Sequence, residues 1–154
     1  MTFEDYIKND SDVLQKDYFV IKGKNKMYLE KLKEMFSEMV VKKDALLIPM
    51  CYHPDFLLYT NNETINYDSF LDSHKKYYAT SIQYEIQYDD EAFLEQGDKV
   101  AGRVWITTSR PNESAKRIEV ILIVQYKDGK IYRAWELTYP DWSTLPAFSD
   151  EISR

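Results

Sequence analysis

The pair Asp128-Gly129 constrains the fold of this chain more than any other two residues. An Asp-Gly loop of two residues suits a type I′ turn, whose central positions both need φ > 0, and so joins two antiparallel strands tightly. Long apolar runs flank it, Lys116–Lys127 on one side and Lys130–Tyr139 on the other. The loop length predicts a register in which Lys127 pairs with Lys130, Gln125 with Tyr132, Ile123 with Ala134, Ile121 with Glu136 and Glu119 with Thr138. Side chains alternate across a strand, so these residues share one face. The other face carries Val120, Leu122, Val124, Tyr126, Ile131, Arg133, Trp135 and Leu137. Both faces are substantially apolar, which does not fit a sheet with one solvated side. The mixed face, with Glu119, Ile121, Ile123, Gln125, Tyr132, Ala134, Glu136 and Thr138, is expected to line a pocket. The greasier face, centred on Leu122, Val124, Trp135 and Leu137, is expected to meet a second copy of the chain, giving a homodimer.

Upstream, the periodicity is helical. Tyr28, Leu32, Met35, Phe36, Met39 and Val40 form one stripe of a helix over about 24–43, with Lys and Glu between them. Ala45–Met50 reads as a turn or short helix ending at Pro49, and a strand is expected to begin at Asp55, after Pro54. Asn61-Asn62 marks a turn and residues 63–66 a short return arm. A second helix is expected over 67–79, its apolar face made by Tyr67, Phe70, Leu71, His74, Tyr77 and Tyr78. Strands follow over 82–93 and 98–109, with turns at Glu95–Asp98 and Pro111–Ser114. Near the start, Phe3, Tyr6 and Ile7 read as one side of a short helix, and Tyr18–Ile21 as an extended piece. Helices followed by a run of antiparallel strands mean a segregated α+β fold, in one domain over 1–154 with its core at about 24–142.

Charge and cysteine usage narrow the partners. With 26 acidic against 20 basic residues and a net charge of −6, interleaved along the chain, a phosphate backbone or an anionic membrane surface is disfavoured. The lone cysteine, Cys51, allows no internal disulfide and suits a reducing compartment. The acidic N-terminus lacks a signal-peptide pattern, and no stretch approaches the roughly 20 apolar residues of a membrane helix, so a cytoplasmic protein is expected.

Several short stretches are shared with a known group. Tyr52-His53-Pro54-Asp55-Phe56 stands before the first strand; Gly97-Asp98-Lys99-Val100-Ala101-Gly102-Arg103-Val104-Trp105 is similar to a "gd-Va-R-w" strand. With Asp128-Gly129-Lys130-Ile131 and Trp135-Glu136, they resemble the nuclear transport factor 2-like superfamily, and within it the SnoaL-like polyketide cyclase group. The resemblance covers about residues 24–142. It implies a cone-shaped, strongly curved antiparallel sheet wrapped around N-terminal helices, with the concave face lining a pocket and the convex face often building a dimer. It also implies that Glu136 holds the place of that group's acid/base Asp, one methylene longer here.

A carboxylate in a poorly hydrated pocket has its pKa raised toward working pH and becomes a useful acid or base. Glu136 is therefore the leading catalytic candidate, set against a structural ion pair at the sheet end. His74 or Tyr132 would hold a ligand group that develops charge. Tyr78 and Asp55 complete the expected pocket. A lone histidine on an apolar helix face is more often a packed residue than a catalyst, His53 reads as a surface loop position, and the direction of Arg103 and Trp105 is not fixed. The residues show no metal-ligand spacing, no phosphate loop among four glycines and no nucleophile motif. No metal and no cofactor are implied. The expected activity is isomerisation, cyclisation or hydration of a small hydrophobic carbonyl compound; the rival is a non-catalytic binding or dimerisation module.

Overall fold

The structure, a computed structural model, describes residues 27–150. The expected pieces at Phe3–Ile7 and Tyr18–Ile21 lie outside the described residues. Helix α1, Tyr28–Met35, runs on as a π-helical segment, Phe36–Val41. Leu32, Met35, Phe36 and Met39 of the predicted stripe are buried. Lys43 at φ 57° ends this stretch, and the Asp44 side chain caps a 3-10 turn, Ala45–Leu47, by accepting from Leu46 N–H at 3.1 Å. Helix α2, Ile48–Cys51, follows with Pro49 in its first turn, where a missing N–H costs nothing.

Strand β1, Tyr52–Thr60, starts three residues before the predicted Asp55 and contains Pro54. Two features make the proline tolerable. The neighbouring strand β2, Glu63–Asn66, reaches back only to Leu57, and the pairing of β1 with the last strand is irregular between Tyr52 and Leu57. Asn61, at φ 53°, turns β1 into β2. Helix α3, Tyr67–Tyr78, is capped by the Asn66 carboxamide, which accepts from Ser69 N–H at 2.9 Å. Five strands follow: β3 Gln83–Tyr88, β4 Leu94–Gln96, β5 Lys99–Ser109, β6 Lys116–Lys127 and β7 Lys130–Tyr139. A 3-10 turn, Trp142–Thr144, and helix α4, Pro146–Asp150, complete the described chain.

The seven strands form one curved, unclosed sheet in the order β2-β1-β7-β6-β5-β3, with β4 also paired to β5. All pairs are antiparallel except β1 with β7, which run parallel. The sheet is thus mixed at one join rather than antiparallel throughout. Its concave face packs on α1 and α3 around a core that includes Phe56, Phe70, Val104, Val120 and Ile131.

The β6–β7 register departs from the predicted one. Lys127 pairs with Lys130 across the turn and Tyr126 with Ile131, but Gln125 then pairs with Arg133, leaving Tyr132 as an extra residue on β7. This β-bulge slips every later pair by one position: Val124 meets Ala134, Leu122 meets Glu136 and Val120 meets Thr138. Tyr132 turns outward, its ring 3.8 Å from the Arg133 guanidinium and 5.1 Å from the His53 ring. A slip of one residue exchanges the faces of one strand relative to the other. Leu122 and Val124, expected at an interface, are therefore 5% and 4% exposed on the concave side, while Ile121 and Ile123, expected in the pocket, are 47% and 42% exposed on the convex side.

Candidate functional site

A cavity of about 190 Å³ lies between the helices and the concave sheet. Its wall is mostly apolar, with Met35, Phe56, Leu122 and Val124 among the lining residues, and three of the expected site residues line it with ionisable side chains: Glu136, His74 and Tyr78. Ala134 and Thr138 line it as well.

Glu136 sits on β7 between Leu122 of β6 and Thr60 of β1. Burial pushes its carboxyl up from 4.5 to about 7, opposed by a smaller effect of a hydrogen bond with the Thr60 side chain. The direction of that bond follows from its neighbour. Trp142 Nε1–H donates to Thr60 Oγ1 at 3.0 Å, so the single Thr60 proton is free to go to the carboxyl. Thr60 itself is almost fully buried.

The β1–β2 turn fixes this part of β7. Asn61 N–H donates to the Glu136 carbonyl at 3.1 Å. The Asn61 carboxamide accepts from Thr138 N–H and donates to Thr138 Oγ1, each at 2.9 Å. Asparagine serves twice here, tolerating φ 53° and spanning to the neighbouring strand.

His74 belongs to α3, packed 3.9 Å from the Phe70 ring, with Tyr78 edge-on at 5.4 Å. Its Nδ1 lies 2.8 Å from the Phe70 carbonyl, which only accepts, so Nδ1 carries the proton and Nε2 keeps a lone pair. Burial pulls this imidazole down to about 4 despite that bond, leaving it neutral near pH 7. The Tyr78 hydroxyl is buried and finds no hydrogen-bond partner among the described residues; burial raises its pKa.

The remaining candidates lie elsewhere, for reasons of register and exposure. Glu119 is on the convex face, 3.5 Å from Arg103. Gln125 donates to Asp98 there at 2.9 Å, and Tyr132 stands outside at the bulge. The Asp55 carboxylate is exposed, and its carbonyl accepts from Arg133 at 2.8 Å. Arg103 and Trp105, whose direction the sequence left open, also point outward, with Trp105 between Arg103 at 4.7 Å and Arg117 at 4.6 Å. Sequence reasoning passed over Thr60 and Trp142 and read Asn61 as a turn residue alone. Thr60 continues the alternation of Phe56 and Leu58, a signal that was present. Trp142, beyond the last strand, carried none. Among the described residues no group of three His, Cys, Asp or Glu is placed to hold a metal ion.

No family model matches the sequence, and no curated protein matches it either. Solved structures match the fold. An LEH-like epoxide hydrolase from Mycobacterium tuberculosis superposes with a TM-score of 0.61 at 10% identity, over 80% of this chain and 90% of its own. A Jannaschia protein assigned to the SnoaL-like polyketide cyclases gives 0.58 at 12% identity, over 79% and 90%. PrhC from Penicillium brasilianum gives 0.59 at 14%, over 81% and 85%. The chain has the nuclear transport factor 2-like fold. In this fold Glu136 stands on the concave face of the curved sheet, at the Trp135-Glu136 pair that carried the sequence resemblance. Identities this low speak to architecture and leave activity to the residues in the cavity.

Proposed function

We propose that this chain binds a small hydrophobic carbonyl compound in the concave cavity and moves protons on it, with Glu136 as the acid/base group. The observation that carries the reading is a carboxyl in a mostly apolar cavity wall, among lining residues that include no Lys or Arg. An acid held near pH 7 is about equally ready to give and to take a proton at working pH. As the carboxylate it takes a proton from the carbon beside the ligand carbonyl, leaving an enolate; as the acid it returns the proton to the same or a conjugated carbon. Return to a conjugated carbon is isomerisation and return to the same carbon is hydrogen exchange; in cyclisation the enolate carbon bonds instead to a second carbonyl carbon of the ligand, whose oxygen takes the proton. His74 offers a lone pair rather than a proton, since its N–H is held by Phe70. The wall donors left for a developing oxyanion are tyrosine hydroxyls, those of Tyr77, Tyr78 and Tyr84 among them.

The test is exchange of the methyl hydrogens of acetophenone in D2O, followed by NMR. The wild type should accelerate exchange over buffer and Glu136→Gln should not. A wild type that leaves exchange at the buffer rate would favour the rival reading, a binding module without chemistry.

We also propose that two copies pair through the convex face of β6 and β7. Ile121, Ile123, Leu137 and Tyr139 are exposed there beside Trp135, which stacks on Tyr59 at 5.9 Å. Apolar side chains gathered on one face of a sheet are a liability on a monomer. The buried free thiol of Cys51 suits the reducing cytoplasm as the working compartment, which cell fractionation would check.

A further inference from the structure

We infer that the ligand is uncharged, that its buried part is about one ring in size, and that it presents a hydrogen-bond acceptor to Glu136. This rests on the reading of the cavity as a ligand site and narrows what enters it. Volume comes first. An engineered apolar cavity of about 150 Å³ holds benzene, so about 190 Å³ takes one substituted ring and not a fused polycycle. Any further rings would have to remain outside.

Charge is decided by the wall. An anion would meet no lining Lys or Arg, and it would share the space with Glu136. An isolated buried carboxylate is costly, and a second one beside it more so. A cation would find one charged partner, Glu136, beside His74 Nε2 and ring faces such as Phe56 and Phe70, which together return less than the hydration it gives up. Both ions of such a pair lose their water, and their attraction offsets that loss only with excellent geometry and added hydrogen bonds. An uncharged molecule meets neither penalty.

The polarity of the contact follows from the Trp142–Thr60–Glu136 chain. Trp142 fills a lone pair of Thr60 Oγ1, and the Thr60 hydroxyl donates a hydrogen bond to one carboxyl oxygen of Glu136. In the acid form the proton therefore sits on the other oxygen, as the donor offered to the ligand. His74 Nε2 is an acceptor only, so a hydroxyl elsewhere on the ligand would be its natural partner. A ketone or aldehyde on a six-membered ring, with or without a hydroxyl, satisfies all three conditions.

The experiment is calorimetric titration of the full chain at pH 6 with matched probes: acetophenone, benzoate, benzylamine and the four-ring ketone androstenedione. Acetophenone should bind at least tenfold more tightly than each of the others. Its affinity should fall at least tenfold between pH 6 and pH 9 in the wild type and stay level in Glu136→Gln. Benzoate or benzylamine binding as well as acetophenone would overturn the charge argument, and androstenedione doing so would overturn the size argument. Failure of every probe to bind overturns the inference as a whole. Ala134→Leu adds volume to the cavity wall two residues along β7 from Glu136 and should abolish acetophenone binding with the circular dichroism spectrum retained; retained binding would place the ligand elsewhere. Binding that follows this pattern without exchange of the acetophenone methyl hydrogens would uphold the ligand class and defeat the proposed chemistry, so the two readings fail separately.

Discussion

Replacing Glu136 by Gln should stabilise the protein at alkaline pH and do nothing at acid pH. The carboxyl titrates near 7 in the folded chain against 4.5 ordinarily, so folding favours its neutral form. Its stabilising contribution is fully present below about 4.5, declines as pH rises toward 7, and is gone above that. At about 1.4 kcal/mol for each tenfold change, the loss amounts to about 3 kcal/mol. Gln is neutral throughout, keeps nearly the same shape and still accepts from Thr60. Urea unfolding of both proteins at pH 4, 5.5, 7 and 8.5 reads the difference, at one protein concentration because dimerisation shifts apparent stability. The variant should match the wild type at pH 4 and exceed it by about 3 kcal/mol at pH 8.5. The comparison is needed because His74 acts with the opposite sign. Its folded value near 4 lies below 6.5, so its contribution is present above 6.5 and lost as pH falls toward 4. Between about 4.5 and 6.5 the two nearly cancel in the wild-type profile, and the difference between the proteins removes His74 from view. A variant less stable than wild type at pH 8.5, or offset by the same amount at every pH, would refute the reasoning. It would mean that the carboxylate is held by a partner, and the acid/base proposal would fall with it.

Other substitutions probe separate parts of the argument. Thr60→Val removes a hydrogen bond that favours the charged carboxyl, so the Glu136 midpoint in an NMR titration should rise above 7; an unchanged or lower midpoint would deny that bond its role. Asn61→Gly keeps the positive φ and deletes both side-chain bonds to Thr138, so it should cost about 1–3 kcal/mol in urea unfolding. A loss within error would show that β7 is fixed by other contacts. Gly102→Ala would place a methyl 2.3 Å from the Phe93 ring on the concave side of β5, an overpacking expected to cost about 1–3 kcal/mol; unchanged stability would mean the ring swings away freely. Light scattering of the wild type should return twice 18.4 kDa, and Ile123→Glu, on the convex face, should halve it with the fold retained. A wild-type mass of 18.4 kDa would remove the dimer.

Local chemistry alone determined most of the architecture. Asp128 and Gly129, at φ 54° and 76°, could hardly do other than turn a hairpin, and the stripe from Leu32 to Met39 could bury itself only as one side of a helix. The class of fold, the strands β6 and β7 to the residue, and the concave placement of Ala134, Glu136 and Thr138 were all legible from such signals. What tertiary structure decided was which face of β6 met them. Ile121 and Leu122 are equally apolar, so the alternation named two faces without saying which was inner, and the bulge at Tyr132, whose ring packs on the sequence-distant His53, settled it. The surroundings of Glu136 were hidden for the same reason. Thr60 and Trp142 stand 82 residues apart in sequence; the parallel pairing of β1 with β7 brings Thr60 beside Glu136, where Trp142 of the turn beyond β7 meets it. Sequence period gives the direction of a side chain relative to its own strand; which strands lie beside it, and in what register, is a property of the closed packing of the whole sheet.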